Sequence, residues 1–246
     1  MRLRKTLLVS TVILSFCCVL INPSIASPKP RDDMREAVDQ SNKAAKVFQE
    51  IMEAPDRGIS QDLLDKVECV AVFPSVIKAA FIVGGKGGKG LVSCRDHETR
   101  AWGAPVFLKI GGGSFGFQIG VDATDLILLG MNSSTIDTFK KNRFELGGEA
   151  TAAAGPVGRS ASASTDLPTV RSEFLSYSRS RGAFAGIALK GSIISRDNDL
   201  LTAAYGPKTS AQDVLDGKVN VTSELMDFQN TLSHYAAGRG RSRTRS

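Results

Sequence analysis

The spacing of apolar residues changes twice along this chain, and that change limits its fold more than any other feature. From Met34 the residues Val38, Ala45, Phe48 and Met52 recur close to a helical period, with Lys, Glu and Asp between them. Ser41 occupies the remaining position of the stripe and leaves a small polar gap. The pattern predicts an amphipathic helix that ends before Pro55 and lies on a core, since its polar face mixes signs and lacks the Lys/Arg bias of membrane-lying helices. Ser60 is placed to cap a short helix over residues 61–66, with Leu63, Leu64 and Val67 facing inward. The period then falls to two. Val70, Val72, Phe81, Val83, Leu91 and the run from Val106 to Ile110 argue strands, and Phe115, Phe117, Ile119 and Val121 alternate strictly with Gly116, Gln118 and Gly120. So many glycines on one face imply that another backbone or a helix packs close. Residues 126–131 suit a buried strand, and Ser134 or Thr135 opens a short amphipathic piece ending near Asn142.

Residues 145–165 are rich in Ala, Gly and Ser, with Leu146, Ala150, Ala152 and Ala154 at even spacings, which favours small-residue strands over a linker. Residues 174–177 and 183–190 read as further strands joined by the basic turn 178–182, and Asp197-Asn198-Asp199 reads as a turn. Beyond Pro207 helical spacing returns in one turn at residues 213–215 and in the stripe Leu225, Phe228, Leu232 and Tyr235. Helices, many strands and a helix, in that order, predict an α+β fold. It has a mainly antiparallel, strongly curved sheet or barrel-like core with N-terminal and C-terminal helices packed on it, rather than βαβ winding. With 246 residues, 42% of them apolar, the chain is long enough to bury such a core as one domain.

The two ends differ from the middle. Arg2, Arg4 and Lys5 precede an apolar run over residues 6–21, and Ser24-Ile25-Ala26 fits the small-x-small cleavage rule, so residues 1–26 read as a secretory signal peptide. The run is short for a membrane anchor and Asn22-Pro23 breaks it; Phe16 before Cys17 argues against a lipoprotein box. Removing Arg2, Arg4 and Lys5 takes the formal charge from +6 to +3, and removing the four arginines of the tail 238–246 takes residues 27–237 to −1. The folded part is nearly neutral, which excludes a basic nucleic-acid-binding domain. The tail reads as disordered and solvated. The expected domains are thus 1–26, 27–237 and 238–246, in an exported chain of periplasmic or secreted destination.

Residues 68–95 are the centre of the functional reading. They hold an apolar run, a Pro74-Ser75 corner, Lys78 among apolar neighbours and a Gly/Lys-rich segment between Cys69 and Cys94. The expectation is strand, turn, strand, flexible basic loop and strand. Two cysteines outside the cytosol suggest a disulfide worth about 3 kcal/mol in the chain-entropy model, with two buried thiols on neighbouring strands as the alternative. Gly84-Gly-Lys-Gly-Gly-Lys-Gly90 resembles a phosphate loop but puts Gly after each Gly-Lys pair where Ser or Thr is required. What it offers is a pliable backbone with two ammonium groups, suited to a phosphate headgroup. Gly111-Gly-Gly-Ser-Phe-Gly116 matches both the dinucleotide pattern and, around Ser114, the nucleophile-elbow pattern, but a strand follows where each needs a helix. Cys94 and His97 could share a metal, yet two ligands do not complete a site, and Asp197 with Asp199 read as turn formers. No cofactor is implied.

Several segments in order then resemble one family. CVAVFPSVIKAAFIVGGKGGKGLVSCR, SFGFQIGVDATDLILLGMN, FELGGEATAAAGPVGRSASAST and GAFAGIALKGSIISRDND, with Tyr205-Gly206, look like the SYLF domain, also called the Ysc-type lipid-binding domain, over residues 34–232. The resemblance implies an exported bacterial member of a non-catalytic family that binds anionic phospholipid, with phosphoinositide and actin binding in eukaryotic relatives. On this chain it points to the Phe73-Pro74-Ser75 corner and the 84–90 segment, with Lys78, Lys86, Lys89 and Arg95 as headgroup contacts. Four such cations contribute roughly 4 kcal/mol near an anionic surface, so an apolar insertion or the arginine tail is needed as a second signal. A structural or protein-interaction module of the cell envelope is the alternative. A serine hydrolase using Ser114 ranks below it, with only His97 and His234 as histidine bases.

Overall fold

The change of period is realised as one sheet with helices on both faces. The computed structural model describes residues 30–54, 58–81, 83–115, 120–157, 172–180 and 183–236. Its strands are β1 Cys69–Phe81, β2 Val83–Cys94, β3 Val106–Phe115, β4 Gly120–Gly130, β5 Arg143–Glu145, β6 Ala152–Ala154, β7 Phe174–Ser180, β8 Ala183–Gly186 and β9 Ile193–Arg196. They form a single curled half-barrel in the order β5-β9-β3-β2-β1-β4-β7-β6, with β8 also on β7. Only the β6–β7 pair is parallel among the described strands. The helices are α1 Pro30–Met52, α2 Gln61–Leu64, α3 Ser134–Lys140, α4 Asn198–Tyr205, α5 Ala211–Leu215 and α6 Met226–Tyr235. The α+β, mainly antiparallel, strongly curved architecture expected from the sequence is the one observed.

Alternation along the strands creates two cores. Val70, Val72, Leu91, Phe107, Ile127 and Leu129 meet Phe48 and Ile51 of α1, Leu64 of α2 and Phe228 and Leu232 of α6. Ala71, Phe73, Val92, Leu108, Leu126 and Leu128, one position out of step, meet Phe139 of α3, Phe144 of β5 and Val214 of α5. Because both faces are covered, the strands carry continuous apolar runs. α1 starts with Pro30 and has Asp32 and Asp33 in its first turn, where a fixed φ and negative charge both favour a helix start. The gap at Ser41 has a purpose: its buried hydroxyl donates to the Leu225 carbonyl at 3.0 Å, pinning the entry of α6 to the middle of α1.

Pro74 and Ser75 do not end a strand; they bulge it. β1 shifts register against β2 between Val72 and Ile77 and against β4 between Phe73 and Val76. Ser75 takes φ 53° and its amide donates to the Asp125 carboxylate at 2.9 Å. A proline without an N–H fits such a break in the ladder. The bulge crowds β2: a Cβ on Gly90 would lie 2.3 Å from the Val72 carbonyl oxygen, so only glycine fits there.

Several expectations are corrected. The Gly/Lys segment is no flexible loop; all of residues 84–90 lie in β2 and pair with β3, and residues 84–87 pair with β1 as well. The glycines of residues 111–113 are likewise strand, inside β3, so the phosphate-loop geometries are absent there. Phe115 ends β3 and Gly120 begins β4, with β2 and β1 between those strands, so the alternating run belongs to two strands rather than one; residues 116–119 lie outside the described residues. α1 begins at Pro30, four residues before the Met34 from which the apolar stripe was read. The Asp197-Asn198-Asp199 turn is the cap and first turn of α4, a helix that periodicity did not reveal, and Gly206 at φ 88° ends it. β5 and β9 were also unforeseen, being too short to show a period. The expected signal peptide and arginine tail lie outside the described residues, as do residues 158–165 of the small-residue segment.

Candidate functional site

Two rows of amines cross the sheet, and they are treated differently. In the first, the β2–β3 register sets Lys89 directly opposite Lys109. Like charges in that relation repel. Here carboxylates answer both: Glu36 of α1 accepts from Lys89 Nζ at 2.5 Å, and Asp197 lies 3.0 Å from Lys109 and 3.8 Å from Lys89. Asp197 is only 1% exposed and also accepts the Leu200 amide as the cap of α4. Burial pulls the pKa of Lys89 down, but the Glu36 hydrogen bond and the charges of Glu36, Asp197 and Asp33 outweigh it, and the net shift is upward. Lys89, expected at a headgroup, thus ties α1 and α4 to the sheet. Neither Lys109 nor Asp197 carried a binding signal in the sequence, because only the register brings them together.

The second row includes one carboxylate in register, but no ion pair forms in it among the described residues. Lys86 of β2 pairs with Lys78 of β1, Lys78 with Asp122 of β4, and Lys86 with Gly112 of β3. Among the described residues neither lysine makes an ion pair; Asp122 instead accepts long hydrogen bonds from Thr124 and Ser180. Lys86 lies over Gly112, where a Cβ would sit 3.3 Å from its Cε and 3.0 Å from the Gly191 carbonyl oxygen. Burial lowers the pKa of Lys86 from the ordinary lysine value, and the Lys78 charge lowers it further. The adjacent Ser192 is fully buried, with a hydroxyl that has no hydrogen-bond partner among the described residues. Lys78 and Lys86, paired in register and next to the Gly191–Ser192 backbone, form the candidate site.

Arg95 belongs to neither row. It is 2% exposed, and its guanidinium donates to the carbonyls of Val67 at 3.0 Å, Arg100 at 2.9 Å, Leu64 at 3.5 Å and Ala236 at 2.5 Å. It lies 4.3 Å over the Trp102 ring, whose Nε1 donates to the same Ala236 carbonyl at 2.9 Å. Arg95 therefore clamps α2, the β2–β3 connection and the end of α6 together, and has no donor facing outward. It lies one residue past the end of β2, in an isolated bridge with Trp102, and nothing in the sequence marked it as buried.

Cys69 and Cys94 form a disulfide between directly paired residues of β1 and β2, both buried. Cys94 is consequently not available to share a metal with His97, and no group of three metal-ligating side chains exists among the described residues. Ser114 pairs with Gly84 inside β3 and lacks the strand-turn-helix context of a nucleophile elbow. His97 precedes β3, whose length from Val106 to Ser114 is about 26 Å at ordinary strand rise. His234 meets Tyr235 edge to face, and Tyr235 reaches Glu53 at the other end of α1 from Glu36.

What the fold and these residues define is one curled sheet that carries two lysines paired in register, with no assembled nucleophile and base among the described residues. The sequence model of Ysc84, described as Las17-binding protein actin regulator, matches residues 111–235. The SH3 domain-containing YSC84-like protein 1 of Rattus norvegicus is 33% identical over 202 residues, covering 80% of this chain and 58% of that protein. Protein YSC84 of Saccharomyces cerevisiae is 29% identical over 194 residues, 76% of this chain and 41% of its own length. LAS seventeen-binding protein 3 of the same yeast is 28% identical over 193 residues, 75% and 41% of the two chains. No solved structure matches. The chain belongs to the Ysc84, or SYLF, family. It spans little more than half the length of the mammalian relatives it matches.

Proposed function

We propose that this chain binds anionic phospholipid headgroups at a membrane surface through Lys78 and Lys86. The observation that carries the reading is the uncompensated pair: two amines held face to face by strand register, one of them half-buried, with no ion-paired carboxylate among the described residues. A phosphate between them removes their repulsion and satisfies both. The site is a rigid strand pair, so little ordering cost opposes binding. Lys89 and Arg95 are occupied inside the fold, which leaves two cations at about 1 kcal/mol each rather than four. That is weak by itself and sensitive to salt. The Cys69–Cys94 bond supports an oxidising, exported setting. Among the described residues no helix is long and apolar enough to cross a membrane, so the association proposed is peripheral.

Co-sedimentation with phosphatidylglycerol vesicles at low and high salt tests this. Lys78→Ala combined with Lys86→Ala lowers binding by about 30-fold, the equivalent of about 2 kcal/mol, whereas the wild-type protein ignores phosphatidylcholine vesicles. Equal sedimentation with both vesicle types, or with neither, refutes the reading. A second reading is favoured by the printed descriptions of the family and the yeast relative: a protein partner takes the place of the lipid. Capture of one envelope protein from delipidated extract, undiminished by the double substitution, supports it.

A further inference from the structure

Beyond the Lys78–Lys86 row the sheet narrows to a four-stranded tongue without charge. β9 pairs with β3 only as far as Gly111, and β7 with β4 only as far as Asp125. Past those points β3, β2, β1 and β4 continue together. Outward from the lysines the rows are Gly113–Gly85–Ala79–Val121, Ser114–Gly84–Ala80–Gly120 and Phe115–Val83–Phe81. Residues 79–85 and 111–121 contain no Asp, Glu, Lys or Arg. One row inward, on the face opposite the lysines, Ile77 is 53% exposed between Gly87 and the exposed Ala123. A Cβ at Gly85, Gly87 or Gly111 would have its nearest neighbour at 3.9 Å, and at Gly113 none within 4 Å; none of the four has a positive φ. Neither crowding nor backbone conformation demands glycine there, unlike at Gly90. The bare backbone of β2 over residues 83–87 is paired with both β1 and β3, so this surface does not need water.

We propose that the tongue enters the outer layer of an anionic bilayer end first, with Lys78 and Lys86 at the depth of the phosphates. The proposal rests on the headgroup reading above and supplies the second signal that two lysines lack. Three residues separate the lysine row from the last row, roughly 10 Å of strand, which matches the 5–10 Å reached by elements that bury an apolar face at the interface. Entry is shallow for a physical reason: the outer edges of the tongue, β3 beyond Gly111 and β4 before Asp125, pair with no other described strand, and unpaired backbone is costly in hydrocarbon, so those edges stay at the hydrated boundary. A greasy protein groove would accept the uncharged end, but it would not explain an unpaired amine row set at one fixed height behind it. A bilayer presents phosphate at that height everywhere.

The full-length chain with Phe81→Trp, mixed with phosphatidylglycerol vesicles carrying nitroxide on the upper acyl chain, tests the insertion. The wild-type protein, whose sole tryptophan Trp102 is buried against Arg95, serves as the blank. The introduced tryptophan shifts to the blue and is quenched on anionic vesicles only. Phe81→Asp lowers vesicle partition by about tenfold with unchanged circular dichroism, since about half of a phenylalanine's burial is lost. Should Phe81→Trp fail to fold, Val83→Trp on the facing strand gives the same readout. If protein sediments with the vesicles while the new tryptophan stays unquenched, insertion is overturned and the headgroup reading survives. If nothing sediments, both fall.

Discussion

Lys86→Met separates a residue kept for a ligand from one kept for the fold. The substitution retains the aliphatic stem that lies over Gly112 and removes only the ammonium facing Lys78. A like-charge pair directly opposite across a ladder costs about 0.2–1 kcal/mol, and with part of the charge in solvent the lower half of that range applies. The unliganded variant is therefore more stable by about 0.5 kcal/mol, or roughly 1–2 °C in melting temperature for a domain of this size. The effect has a pH signature. Because burial and then Lys78 lower the pKa of Lys86 in the folded state, the folded protein gives up this proton at a lower pH than the unfolded chain does. The penalty is complete below the folded pKa and fades as pH rises towards the ordinary lysine value. The gain from Lys86→Met is consequently largest at neutral pH and vanishes in alkali. Lys89→Met must do the opposite. It strips Glu36 of its partner and leaves the buried Asp197 with Lys109 alone, a loss of about 1–3 kcal/mol. Urea denaturation of both variants at neutral and alkaline pH decides the matter. A Lys86→Met protein destabilised by 1 kcal/mol or more at neutral pH would refute the uncompensated pair.

Two further outcomes test the scaffold around that pair. Arg95→Met removes donors to four carbonyls, those of Val67, Leu64, Arg100 and Ala236, and lowers stability by about 3 kcal/mol or more in chemical denaturation, with no salt-dependent change in vesicle binding among molecules that remain folded; a neutral effect contradicts the clamp. Cys69→Ser with Cys94→Ser opens a link of sequence separation 25 and costs about 3 kcal/mol, while alkylation of the native, non-reduced protein followed by mass spectrometry finds no free thiol at either position.

Much of this architecture was legible because period reports burial directly. The stripe ending at Met52 and the one from Leu225 to Tyr235 became α1 and α6, and the apolar runs between them became a sheet covered on both faces. Even Ser41 was visible as a gap, although its partner, the Leu225 carbonyl, lies 184 residues away and could not be read. The Gly/Lys segment misled for a physical reason. Glycine permits a flexible loop and a flat central strand alike, and its lack of a side chain erases the alternation that distinguishes them. Only the close approach of the β1 bulge, which leaves no room for a Cβ at Gly90, shows that strand was meant.

The four cations singled out in the sequence mark the boundary between the two kinds of information. Sequence by itself determined the α+β class and the concentration of positive charge in residues 68–95, because composition and period are local properties of the chain, and its ordered motifs carried the family resemblance. Tertiary structure alone decided what each charge meets. Register gave Lys89 a carboxylate from α1 and another from the cap of α4, folded Arg95 under the end of α6, and left Lys78 and Lys86 facing one another at the base of an uncharged tongue. Electrostatic energy depends on distances between groups far apart in sequence, and those distances are set only when the sheet closes its register.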